Sequence, residues 1–91
     1  MEAKEWNIEI FIDEDDADQV TTARAVLHAG DASTRHESVA HARRNPHDRA
    51  VPQIGDELAA GRALSDLAAK LIEDGAEDVA QFAAPSSSRA R

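Results

Sequence analysis

This chain of 91 residues has no cysteine and no tyrosine, a single tryptophan and two phenylalanines. Without cysteine there is no disulfide to stabilise a small fold and no thiolate zinc site. The scarcity of aromatics removes the stacking pairs by which an RNA-recognition motif holds bases. No run approaches the ~18 apolar residues that a membrane-spanning helix needs. Lys4 and Glu5 lead into alternation rather than into the continuous apolar run of a secretion signal. The expectation is a soluble cytoplasmic protein. Gly30, Gly55, Gly61 and Gly75 never assemble into a dinucleotide or phosphate-binding loop. Large aliphatic side chains are scarce as well. Leu, Ile, Val and Phe together number 17, against 19 alanines. A chain this short buries only a modest core, and here that core is thin. Self-association is then the common route to added stability.

What is abundant is negative charge, with a formal net of −8. It is unevenly spread. Between Arg35 and Arg49 the chain carries Arg35, Arg43, Arg44 and Arg49 against Glu37 and Asp48, with His36, His41 and His47 among them. An ordinary solvated surface accounts for this. The sharper reading is a small basic face on an anionic body, able to meet RNA phosphate or an acidic partner. The field of the whole molecule opposes polyanion binding.

Periodicity supplies the elements. Residues 5–13 alternate, with Trp6, Ile8, Ile10 and Ile12 on one side and Asn7, Glu9, Phe11 and Asp13 on the other. This is the pattern of a half-buried strand. Phe11 stands out on the polar side, to be covered by a partner or by the tail. An acidic turn, EDDAD, follows at 14–18. From about Val20 to Ala29 the alanine-rich run is compatible with a helix in isolation. Thr21, Thr22, Val26 and the Gly30-Asp31 break favour a strand. Residues 30–34 read as a loop and 35–44 as a third strand, which Asn45-Pro46 ends. Pro52 suits a helix entry, and Asp56 and Glu57 sit in its first turn. Ile54, Leu58, Leu64, Leu67, Leu71 and Ile72 recur at helical spacing, with small residues beside them. Gly75 reads as the helix end, 77–83 as a short additional helix, and 85–91 as a disordered tail. The expected fold is α+β. A three-stranded antiparallel sheet packs on a C-terminal helix in one domain, 1–84. Its core is drawn from Ile8, Ile10, Ile12, Leu27, Leu58, Leu64, Leu67 and Leu71.

The chemistry is thin. An EF-hand loop opening at Asp13 would require Gly at its sixth position and Glu at its twelfth, which are Asp18 and Arg24 here. His36 and His41, five apart on a strand, face opposite sides. His28 and His41 could share a face, but no HExxH or similar pattern supports a metal site. Ser33, Ser38 and Ser65 lack an elbow motif. No catalytic, metal or cofactor residues are assigned, and the expectation is a non-enzyme. Arg43, Arg44 and Arg49 are the tentative RNA- or partner-binding residues. At Arg49 a structural bond to Asp48, Asp56 or a helix carbonyl is the favoured role.

The segments WNIEIFIDE and ESVAHARRNPHDRAVPQIGDELAAGRALSDLAAKL closely resemble a family of small actinobacterial proteins of unknown function. Its members have a fold like that of the double-stranded-RNA-binding domain (dsRBD-like). The resemblance spans about Trp6 to Ile72. It implies a three-stranded sheet backed by a helix and a homodimer. It also carries an association with stress and dormancy, since the family includes a mycobacterial protein induced in dormancy. A similarity to ribosome hibernation-promoting factors has been proposed within it. Two readings follow for this chain. One is a stress-type protein-interaction module. The other is a ribosome-associated, hibernation-like factor contacting RNA through the small basic patch.

Overall fold

The computed structural model describes residues 2–30 and 35–83. Three strands precede one long helix: β1 (Asn7–Asp15), β2 (Val20–His28), β3 (Arg35–Arg43) and α1 (Pro52–Ala83). The strands form an antiparallel sheet in the order β1-β2-β3, so β1 and β3 are its edges. The β1–β2 connection turns tightly through 16–19. The Asp15 carboxylate accepts a hydrogen bond from the Asp18 backbone N–H (3.2 Å), and Gln19 takes a left-handed backbone with φ 58°. The tail 85–91 and the loop positions 31–34 lie outside the described residues.

The register places Ala23, Ala25 and Leu27 on the helix side of β2, opposite Ile12, Ile10 and Ile8 of β1. Ser38, Ala40 and Ala42 complete that face on β3. The floor under the helix is therefore mostly alanine. A flat floor lets a helix settle closely, and α1 meets it with its own alanines, Ala59 and Ala63, and with Leu67. These residues are buried with Ala23, Ala25, Leu27, Ala40 and Ala42, while Ala60 and Leu71 pack partly against them.

Polar ties fix the helix over β3. The Arg62 guanidinium donates to the His41 carbonyl (2.9 Å) and the Lys70 ammonium to the Glu37 carbonyl (2.6 Å). His36 of β3 pairs with Asp74 of the helix at 2.7 Å. The helix accordingly lies over β2 and β3 and barely reaches β1. Ile8, Ile10 and Ile12, expected in the core, remain 38–47% exposed on an uncovered strip of the sheet. Leu58 and Leu64 are exposed too. Leu27 and Leu67 are core residues as expected, and Leu71 is half-buried.

The helix end also differs from expectation. Gly75 does not terminate α1, which continues unbroken through 77–83. Among the described residues only Gln19 and Gly30 have positive φ, so Gly75 does not adopt the left-handed conformation of a C-cap. The flanking Ala76, Glu77 and Ala80 favour helix, and a lone interior glycine is tolerated.

Candidate functional site

Arg43 ends β3, and Arg44 and Arg49 belong to the connection that leads into α1. That connection, the 16–19 turn and the first turns of the helix enclose an open cavity of about 370 Å³ at one end of the sheet. Arg43, Arg44 and Arg49 all line it. Asp48 lies on the same wall, and Glu14, Asp15 and Asp16 form the opposite one. Val51, Ile54 and Leu58 supply an apolar side. The cavity is thus walled by base on one side and acid on the other.

Its charges are partly committed. The Arg44 backbone N–H donates to the Gln19 carbonyl (2.9 Å), and its guanidinium donates to the Asp48 carbonyl (2.6 Å). Both bonds hold the connection in place. Among the described residues the Arg43 guanidinium makes only a long contact to the Asp18 carbonyl (3.4 Å). The turn-holding bond expected of Arg49 is made by Arg44. Arg49 is exposed, with no hydrogen-bond or ion-pair partner among the described residues. Asn45 opens the turn, its side-chain oxygen accepting from the His47 backbone N–H (3.0 Å).

On the acid side, Glu14 lies against Asp56 in the first turns of α1. A hydrogen bond to the Asp56 carboxyl, then the charge of that carboxylate, raise Glu14 above its ordinary value. One Asp56 oxygen is shut off from solvent and takes no bond from other described donors. Sequence reading missed this pair, because 42 residues separate its members and neither belongs to a motif. The close approach of helix to sheet brings them together. A Cβ on Gly55 would stand 2.7 Å from the Thr21 hydroxyl, so a larger residue there requires the Thr21 side chain to move.

Elsewhere the arrangement is structural. His28 and His41 do share the open face of the sheet, as parity required. But His41 stands opposite Thr22 and His28 opposite Arg35, six residues apart along β2, or roughly 20 Å. His41 pairs with the Thr22 hydroxyl (2.9 Å) and His28 with Glu9 (2.8 Å). On that face the Arg24 guanidinium lies 4.5 Å from the Phe11 ring centre and 3.4 Å from Glu37. Phe11, the apolar residue on the polar side, is therefore partly covered by its own chain. Ser38 is buried under the helix and Ser65 is exposed on it. Among the described residues no three His, Asp or Glu side chains are grouped to hold a metal ion. No helix there is long and apolar enough to cross a membrane.

Comparison with known proteins agrees with this architecture. A mycobacterial protein, Mb1767 of Mycobacterium bovis, is 40% identical over 74 residues, covering 81% of this chain and 74% of its own length. Rv2632c of Mycobacterium tuberculosis is 42% identical over 76 residues, covering 84% of this chain and 77% of its own. Both are described as uncharacterised. The crystal structure of Rv2632c superposes with a TM-score of 0.75 at 36% identity, over 100% of this chain and 96% of that one. The Rv2632c-like family model matches residues 4–88, and the chain belongs to the Rv2632c-like family.

Proposed function

We propose that this protein is a non-enzymatic interaction module of the stress or dormancy type, and that β1 is where it takes hold of its protein partner. The observation that carries this reading is the uncovered apolar face of an edge strand. Ile8, Ile10 and Ile12 stand open on the helix side, and among the described residues the outer edge of β1 has no neighbouring strand. An edge of this kind is a template for strand addition. The side chains define the partner's chemistry. Apolar residues at every second position would cover the isoleucines, and basic residues between them would face Glu9 and Asp13.

Capture from stationary-phase lysate by wild type and by Ile10→Asp tests the reading. Retention should survive ribonuclease, change little with salt and disappear in Ile10→Asp. Retention that ribonuclease abolishes, or that Ile10→Asp leaves intact, overturns it. The alternative is the hibernation-like ribosomal role. In its favour, Arg43, Arg44 and Arg49 meet at one cavity. Against it stand the facing carboxylates and the net charge of −8.

A further inference from the structure

The cavity at the end of the sheet holds charges of both signs that do not neutralise one another. Arg43 and Arg49 line it, and so do Glu14, Asp15, Asp16 and Asp48. Opposite charges free to close on each other would form ion pairs. Among the described residues no arginine of the lining is ion-paired with a carboxylate of it. The pairs that do form, such as Arg24 with Glu37, lie outside the lining. Arg43 reaches no more than the Asp18 carbonyl at 3.4 Å, and the Arg49 guanidinium is exposed. On the acid side, Glu14 bonds to the Asp56 carboxyl and faces the charge of Asp56 and then of Asp16. Positive charge is what that corner lacks. One Asp56 oxygen there is buried and unbonded.

Between the two sides lie space and apolar surface. The volume of about 370 Å³ is what ~12 waters occupy in the liquid, so it admits about a dozen non-hydrogen atoms. It falls within the ~300–1,000 Å³ of small-molecule sites. Val51, Ile54 and Leu58 line the space while 38%, 54% and 47% exposed, and covering them is favourable. Several ligand classes answer part of this. A metal ion needs grouped ligands, and among the described residues no three His, Asp or Glu side chains are grouped for one. A phosphate suits the arginines and is repelled by the carboxylates. An amine suits the carboxylates and is repelled by the arginines. A molecule with a carboxylate at one end, an ammonium at the other and apolar atoms between answers every wall.

We propose that this cavity binds a small apolar zwitterion with the chemistry of a free dipeptide. The ligand's carboxylate meets Arg43 and Arg49, its ammonium meets Glu14 and Asp16, and its side chains cover Val51, Ile54 and Leu58. The guanidinium is a forked donor that fits a carboxylate. The ammonium is a donor only, and carboxylates are its natural acceptors. Length favours two residues over one. A cube of 370 Å³ is about 7 Å on a side, and two extended residues reach roughly that far. A free amino acid carries both charges on one carbon and spans less. The strip of Ile8, Ile10 and Ile12 is not part of the lining, so this site stands independently of the β1 reading.

Titration of the full chain with alanyl-leucine, followed by backbone amide NMR shifts, tests this. The shifts should saturate with a Kd of ~1 mM or tighter, ordinary for a ligand of this size, and should map to 14–21 and 42–58. N-acetylation of the dipeptide removes its ammonium, and amidation removes its carboxylate. Each should weaken binding about tenfold or more, the worth of one charge-assisted hydrogen bond. Glycyl-glycine, which has both charges and no apolar body, should bind more weakly too. Free leucine should do the same; if it binds more tightly, the zwitterion site stands and its ligand is the amino acid. Two variants tie each charge to its wall. Arg49→Gln should narrow the gap between the dipeptide and its amide, leaving the gap to the acetylated form. Glu14→Gln should do the reverse. Asp66→Asn, outside the lining, should change neither. The absence of saturable shifts up to ~10 mM dipeptide and leucine overturns the proposal. So do capped dipeptides that bind as well as the free one, inorganic phosphate that binds more tightly, or gaps that stay unchanged in both variants.

Discussion

Two positions at the end of the sheet show how single residues set its energetics. Glu14 is raised above its ordinary value by Asp56, so the folded chain holds that proton more tightly than the unfolded chain does. Where a carboxyl is raised on folding, the two ionised groups oppose the fold at pH above the raised value. The opposition fades as pH falls through it, and is gone below the unfolded value. Glu14→Gln should therefore raise the melting temperature at pH 7, and the gain should shrink towards zero by about pH 4. Thermal melts from pH 4 to 8 check this, and a gain independent of pH would contradict it. Gly55 is the second position. Alanine there gains up to ~1 kcal/mol of helix propensity, yet its Cβ would sit 2.7 Å from the Thr21 hydroxyl. Overpacking of that kind costs about 1–3 kcal/mol, so Gly55→Ala should lower the urea midpoint. A raised midpoint would mean that Thr21 turns aside freely.

At the scale of elements, alternation in β1, β2 and β3 told which side chains share a face, and the strands formed nearly where it placed them. It carried no information on how far a helix reaches across the sheet. Ile8, Ile10 and Ile12 were thus assigned to the correct face and to the wrong environment. In the helix, the eye goes to Ile54, Leu58 and Ile72, whereas the sheet is met by Ala59 and Ala63. The alanine floor makes small residues the close-packing ones beside Leu67 and leaves most of the large ones outside. Of the candidate site, the three arginines were legible from their density in sequence. The carboxyl pair was not, because it arises from tertiary approach alone. Two substitutions separate core from strip. Leu67→Ala, at a fully buried position, should cost ~2–5 kcal/mol from lost transfer energy plus a cavity. Ile10→Ala, in solution conditions that keep the chain monomeric, should cost under ~1.5 kcal/mol, since much of that side chain already meets water. Equal shifts in the denaturation midpoint would place β1 back in the core.

For the molecule as a whole, the question is whether a body of net charge −8 approaches ribosomal RNA. Its four arginines between Arg35 and Arg49 are the densest positive charge, but the structure divides their work. Arg44 holds the turn through Asp48, and the cavity that Arg43 and Arg49 line has Glu14, Asp15 and Asp16 across from them. A phosphate drawn to these arginines enters a cavity that carboxylates line as well, and like charge repels it. Repulsion from the remaining surface adds to this as salt is lowered, the opposite of the trend for a basic protein. We therefore expect no cosedimentation with ribosomes between roughly 50 and 200 mM salt, the range over which phosphate contacts lose most of their strength. If association is seen, its salt slope identifies the contact. Arg43→Glu with Arg44→Glu should then lower the slope by about two, one for each lost phosphate. A wild type that binds with a steep slope, and a double variant that does not bind, would make the basic wall an RNA contact and displace the β1 reading. Because Arg44 also ties the turn, the double variant must keep the wild-type melting temperature for the comparison to count. Arg49→Glu, which breaks no bond among the described residues, serves if it does not.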